Sequence, residues 1–333
     1  MDTFSPPPFL PDRLIRGGHL QTIASLGVTD RALEPTDRHI VRLPDGDAIV
    51  LHENRPVDGG GSFSSPPSNR SMVLFHGLSG CHGSPYMIRI ANRLVRSNWT
   101  VYRVDMRGCG AARDLASGLS HAGRSEDVYA ALDFVARRNP HSRLSAAGVS
   151  LGGNQLLRFA GRIGAGLDAR PHWWDQMAKL AVVAPPIDLV RCSENMQRFS
   201  RRIYNYYFIR TLFDRIAPGV RRHAVFQQAA LQGRPKTLFE LDDRITAPIS
   251  GFADAPQYYR DCGAIAVAGS NQIPTLVLAA KDDPIVPIDC FERAKWPDQT
   301  QLVVTRAGGH AGFIARGRSR WMDDCLVDWA NHF

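Results

Sequence analysis

Two hydrophobic rhythms alternate along this chain. Short apolar runs, "SMVLFHGL" (71–78), "WTVYRVDM" (99–106), "RLSAAGVS" (143–150) and "KLAVVAPP" (179–186), read as buried strands. Between them lie stretches with helical spacing, "YMIRIANRLVRS" (86–97), "SEDVYAALDFVARR" (125–138) and "NQLLRFAGRIG" (154–164). In the second of these, Val128, Ala131, Leu132 and Val135 share one face, and Ser125 with acids behind it marks the start. "HIVRLPDGDAIVLHE" (39–53) predicts a hairpin turning at Asp45-Gly46. "VDGGGSFSSPPSNR" (57–70) predicts a flexible surface loop.

From 185 to about 255 the rhythm breaks. "RFSRRIYNYYFIRTLFDRI" and "RRHAVFQQAALQG" predict arginine- and aromatic-rich helices with no strand between them. "IPTLVLAAKDD" (273–283) and "TQLVVTRAGG" (300–309) restore the strands, and "WMDDCLVDWANHF" closes as a helix. Alternating strands and helices predict a single α/β domain over 1–333: a mostly parallel sheet, helices on both faces, and a helical cap inserted at about 185–255. Phe199, Ile203, Tyr206 and Phe213 recur at helical spacing and predict an apolar face on the cap. That face either lines an acyl site or glues the cap to the core.

Composition narrows the function classes. The chain has 333 residues, with 40 basic against 32 acidic, a net charge of +8. The arginines are scattered, with no run of five basic residues, which reads as a solvated surface rather than a nucleic-acid footprint. "IYNYYF" beside arginines could stack on RNA bases, but an apolar helix face accounts for it more simply. Six cysteines stand far apart without a C-x-x-C pair, which predicts a reduced, cytoplasmic protein. The first 26 residues hold four prolines and no apolar core, unlike a signal peptide, and no run approaches a membrane span. No zinc spacing, P-loop Lys-Ser/Thr or G-x-G-x-x-G is found, so no metal or organic cofactor is expected.

The chemistry begins at "GVSLGGN" (148–154), a serine between glycines where a strand meets a helix. Such a turn lifts a hydroxyl clear of the sheet. A hydroxyl nucleophile needs a base, and the base an orienting acid, in the chain order serine, acid, histidine. His310 follows the last strand behind two glycines and takes the role of base. Asp282 and Asp283 both follow "LVLAA". Asp283 is preferred because "DPIVP" sets its side chain at the turn, and Asp188 is the reserve. The backbone amides of Leu151 and Leu78 are the expected oxyanion donors. His76 reads as a residue holding that loop, and Cys81 as a packed cysteine rather than a reactive thiol.

Beyond the individual motifs, the chain resembles the YheT-like family of the α/β-hydrolase superfamily. The similarity runs through "GGHLQTI", "FHGLSGCHGSPY", "VYRVDMRGCGAA", "GVSLGGN", "LDDRITAPISGFADAPQYY", "AAKDDPIVP" and "GGHAGF". The resemblance implies that Ser150, Asp283 and His310 are nucleophile, acid and base. It also places His19 and Gln21 in an N-terminal motif without giving them a role. The expectation is a serine hydrolase of carboxylic, acyl or lipid-like esters working through an acyl-enzyme. The alternatives are acyl transfer by the same triad, or a silent or RNA-binding protein on this fold. The expected partner is a small-molecule acyl ester, with no nucleic acid and no transmembrane segment. Peripheral membrane contact and the oligomeric state stay open.

Overall fold

The computed structural model describes residues 4–27, 34–56 and 68–332. The loop expected at 57–70 lies outside the described residues as far as position 67. Eight strands form one sheet: β1 (Asp37–Arg42), β2 (Ala48–Asn54), β3 (Arg70–Phe75), β4 (Thr100–Asp105), β5 (Arg143–Val149), β6 (Met177–Val183), β7 (Thr275–Ala280) and β8 (Thr300–Thr305). Their order is β1-β2-β4-β3-β5-β6-β7-β8. The β1–β2 hairpin turns at Asp45-Gly46 as its sequence predicts, with Arg42 opposite Ala48 and Gly46 at φ 91°. β2 joins β4 antiparallel, and every pairing from β4 to β8 is parallel.

Both faces of the parallel strands are apolar, because each face is covered by helices. In β3, Val73 and Phe75 enter one core while Met72 and Leu74 enter the other. β7 divides likewise, Val277 and Ala279 against Leu276, Leu278 and Ala280. Taking the helices in chain order, α1 is Gly18–Ser25, α2 Pro85–Arg96, α3 Ser125–Arg138 and α4 Leu151–Gly164. Helices α3 and α4 cover the first core, through residues such as Leu132, Val135, Leu156 and Phe159. Helix α2 and the C-terminal helix Trp321–Asn331 cover the second, through Met87, Leu94, Met322 and Trp329. A buried Arg89–Asp323 pair, Nε to Oδ2 2.6 Å, ties those two helices together. Helix α3 starts at Ser125 as expected, though without a side-chain cap, and the Ser125 hydroxyl accepts from Arg158 Nη1 at 2.8 Å.

Between β6 and β7 no strand intervenes. The segment holds α5 (Leu189–Met196), α6 (Arg202–Arg215) and shorter helices ending with Ala255–Cys262. Beyond 255 the chain still runs against α4: a Cβ on Gly164 would stand 1.8 Å from the Ser270 carbonyl. Asn154 on α4 anchors the segment, donating to the carbonyls of Ala122 and Cys262 and accepting from Ala264 N.

The orientation of α6 overturns the expected apolar face. Phe199 is 80% exposed, and Ile203 and Tyr206 are each 64% exposed. Phe213 stacks on Phe226, centroids 5.8 Å apart, within the packing of the inserted helices. The face turned inward is instead Asn205, Phe208 and Leu212. Helical spacing picks out residues that share a face, but α6 carries apolar residues all round, so spacing alone could not say which face turns in.

Candidate active site

Ser150 stands between β5 and α4 with φ 53° and ψ −119°, a conformation that L side chains seldom adopt. The flanking glycines permit it by close approach. A Cβ on Gly148 would lie 2.6 Å from the Gly152 carbonyl, and one on Gly152 would lie 2.7 Å from the carbonyl oxygens of Phe75 and His76. The side chain is thereby held at the carboxyl edge of the parallel strands.

His310, in the loop after β8, places Nε2 2.8 Å from Ser150 Oγ. Its Nδ1 lies 2.9 Å from Asp283 Oδ2. A carboxylate only accepts, so Nδ1 carries the proton and Nε2 presents a lone pair to the hydroxyl. Asp283 is fixed in turn through Oδ1, which accepts from the backbone N–H groups of Ile285 (2.7 Å) and Val286 (3.0 Å). Asp282 points elsewhere and accepts from Gly309 N at 2.9 Å, bracing the histidine loop. Asp188 caps α5 by accepting from Arg191 N. The structure therefore brings Ser150, His310 and Asp283 into one hydrogen-bonded chain and leaves Asp282 and Asp188 outside it.

Leu78 and Leu151 both line the cavity beside Ser150. Among the described residues, neither backbone N–H is taken by a protein acceptor, whereas Gly77 N is spent on the Tyr86 hydroxyl at 2.8 Å. The loop carrying Leu78 is pinned by His76. That ring accepts from Met106 N at Nε2 (3.2 Å), so its Nδ1–H donates to Gly77 O (2.8 Å). Burial lowers the pKa of His76 and favours this neutral form. Cys81 lines the same cavity, half-buried.

A second pin on that loop had no local signal in the sequence. Asp105, at the end of β4, accepts from His52 Nε2 (2.9 Å), His82 Nδ1 (2.7 Å), His82 N (2.6 Å) and Ala111 N (2.8 Å). Burial opposes its ionisation, but the hydrogen bonds from His52 and His82 outweigh it and hold the carboxyl well below the usual range. His52, His82 and Asp105 could be read as a metal donor set. The two rings stack 3.6 Å apart at 16°, so their in-plane lone pairs run side by side rather than converging on one ion. The other such group, Asp37, His39 and Glu53, is engaged by Arg55 and Arg138.

The N-terminal motif "GGHLQTI" acquires a physical role here. Gln21 is buried, donates to the carbonyls of Ile15 and Ile314, and accepts from Ile314 N. Thr22 Oγ1 accepts from His310 N at 2.8 Å. Gly18 meets Asp282 so closely that a Cβ would fall 1.7 Å from its carbonyl oxygen. His19 Nδ1 lies 2.8 Å from the Tyr204 hydroxyl, joining α1 to α6. Helix α1 is thus a buttress for the loop that carries His310. Only contacts between residues nearly 300 positions apart reveal it.

Over Ser150 lies a cavity of about 610 Å³, walled by the loops after β3, β4 and β5 and by the helices inserted after β6. Its lining is mainly apolar, including Leu189, Met196, Phe208, Leu212 and Leu238.

A strained serine at a strand–helix turn, a histidine after the last strand and a parallel sheet beneath them define a hydrolase of the α/β class. The model of the α/β hydrolase fold family matches residues 70–316, and the chain belongs to that family. It is 28% identical to the Escherichia coli (strain K12) protein named "Putative esterase YheT", over 96% of this chain and 92% of that one. It is 25% identical to mouse phospholipase ABHD3, over 88% of this chain and 70% of the relative. Among solved structures, 2,6-dihydroxy-pseudo-oxynicotine hydrolase superposes with a TM-score of 0.56. That match has 16% identity and covers 94% of this chain and 70% of the other, a likeness of fold. Among the described residues, no helix is long and apolar enough to cross a membrane.

Proposed function

We propose that the protein is a serine hydrolase of carboxylic esters working through an acyl-enzyme. The observation that carries this reading is the continuous chain from Ser150 Oγ through His310 to Asp283, opening into a mainly apolar cavity. Ser150 Oγ attacks the ester carbonyl carbon while its proton passes to His310 Nε2. The carbonyl oxygen becomes an oxyanion and meets the backbone N–H groups of Leu78 and Leu151. As the C–O bond to the alcohol breaks, His310 returns the proton to the leaving oxygen. Water, deprotonated by His310, then attacks the acyl carbon. The acid departs and Ser150 regains its proton. Asp283 holds the ring in the tautomer this cycle needs and stabilises the imidazolium formed midway.

The apolar walls suit an acyl chain, each buried methylene contributing about 0.8 kcal/mol. The similarity to relatives named as an esterase and a phospholipase supports the same chemistry. The test is labelling with a fluorophosphonate, followed by hydrolysis of esters graded in acyl length. One labelled residue, Ser150, and loss of both signals in a folded Ser150→Ala protein are expected. Hydrolysis that survives Ser150→Ala overturns the mechanism.

A further inference from the structure

One corner of the cavity carries a charge that the ester chemistry leaves unused. Asp242 opens a π-helical turn, Asp242–Thr246, and lines the same cavity as Ser150. Wider turns of this kind recur at functional sites, where they re-aim one side chain. Asp242 Oδ2 accepts from the Tyr259 hydroxyl at 2.8 Å. Among the described residues, no lysine, arginine or histidine pairs with it. Three of the other charged groups of the cavity wall are committed elsewhere, while Arg215 also lines the cavity and, among the described residues, makes no ion pair. Arg107 pairs with Asp127, Asp214 with Arg234, and Arg113 donates to the carbonyls of Arg215 and Ile216. Asp243, the neighbouring acid, accepts from Ala255 N. Burial pushes the Asp242 carboxyl up to about 6, against hydrogen bonds from Thr246 and Tyr259, so a cation beside it would favour the ionised form.

Asp242 is half-buried, and a partly desolvated carboxylate without a cation gains from a counter-charge entering the cavity. A neutral donor would supply a hydrogen bond and leave the charge. A cation supplies both. The surroundings favour a cation further, since Phe239, Tyr258 and Tyr259 line the cavity at this point. Their rings sit close together, with Tyr258 to Tyr259 centroids 5.3 Å apart and Phe239 to Tyr259 6.4 Å. Aromatic faces attract ammonium groups. The corner also adjoins the nucleophile, because Leu151, the residue after Ser150, packs on the same apolar cluster and lines the same cavity as these rings.

We infer that Asp242, with Tyr259, Tyr258 and Phe239, forms a subsite for an ammonium group on the ester substrate. The inference rests on the serine-hydrolase reading and names its substrate class: esters that pair an apolar chain with a cationic amine.

The test compares two isosteric pairs in wild type and Asp242→Asn. One pair is the butyrate esters of 2-(trimethylammonio)ethanol and of uncharged 3,3-dimethylbutanol. The other is the p-nitrophenyl esters of 4-(trimethylammonio)butanoic and 5,5-dimethylhexanoic acids, which puts the charge on the acyl side. For at least one pair, the charged-to-neutral ratio of kcat/KM is expected to fall tenfold or more in Asp242→Asn. An unchanged ratio in both pairs, with fluorophosphonate still labelling Ser150 in the variant, overturns the subsite and leaves the hydrolase intact. Loss of labelling in wild type would instead remove the hydrolase reading itself. A measurement on wild type alone guards against a variant that fails to fold. Tetramethylammonium is expected to slow labelling of Ser150 more than 3,3-dimethylbutanol does at equal concentration, and equal effects overturn the subsite.

Discussion

The hydroxyl of Thr22 accepts the backbone N–H of His310 at 2.8 Å, across 288 positions of sequence. The same oxygen donates to the Gly18 carbonyl at 2.6 Å, so one side chain locks the turn of α1 to the loop of the base. The N-terminal segment therefore helps to set where the imidazole stands.

Thr22→Val keeps the volume and removes the hydroxyl. It is expected to lower kcat while leaving KM nearly unchanged, because the base shifts and the cavity does not. Gln21→Leu leaves Ile314 N and the Ile15 carbonyl without partners, while the Ile314 carbonyl keeps its bond from Asp12 N, a loss of roughly 1–3 kcal/mol in stability. Chemical denaturation with steady-state kinetics on both variants separates the two effects. A normal kcat in folded Thr22→Val would show that the base loop holds itself.

The adjacent aspartates make a sharper comparison. Asp283→Asn is expected to cost on the order of 10⁴-fold in kcat by favouring the wrong tautomer of His310. Asp282→Asn keeps an acceptor for Gly309 N and is expected to cost far less. Equal losses would mean that loop geometry, not the tautomer, dominates.

Acyl-length preference is expected to answer to the inward face of α6. Phe208→Ala or Leu212→Ala should move the preferred ester along a series from acetyl to decanoyl. Phe199→Ala or Tyr206→Ala should leave that preference in place, since both side chains face solvent. The readout is kcat/KM at each chain length, and a shift produced by Tyr206→Ala would contradict this orientation of the helix.

Asp105 links pH to stability. Its carboxyl sits below the ordinary value of 3.8, so the folded state holds fewer protons than the unfolded one as pH falls through that value. The stabilisation is present above about pH 4 and is lost progressively on acidification. Asp105→Asn is expected to be less stable at pH 7 and to show a shallower decline below pH 4 in urea titrations. An identical decline in wild type and variant would assign the acid transition to other groups.

What the sequence disclosed and withheld follows from the range of each interaction. Ser150 and its glycines are a local pattern, because the constraint that demands glycine acts within the turn. The strands were legible because both faces of a parallel sheet must be apolar, as the two cores meeting at β3 show. His52, His82 and Asp105 come from β2, a loop and β4, and nothing in the spacing of 52, 82 and 105 foretells a shared carboxylate. Gln21 and Asp242 were equally silent, one meeting partners near 314 and the other owing its setting to burial. α6 misled for the opposite reason: the spacing did pick out residues of one face, and the fold turned Ile203 and Tyr206 outward while packing Phe213 among the inserted helices.

The packing of α6 also bears on how such a protein diversifies. Inward Asn205 and Phe208 and outward Ile203 and Tyr206 interleave along one stretch of helix. Each residue advances a helix by about 100°, so deleting a single codon ahead of Asn205 would swing a different set of side chains over the serine. Reading-frame-preserving insertions and deletions at the start of this helix are therefore a route to new acyl selectivity. Libraries built that way would sample pockets that substitution at any one position does not reach.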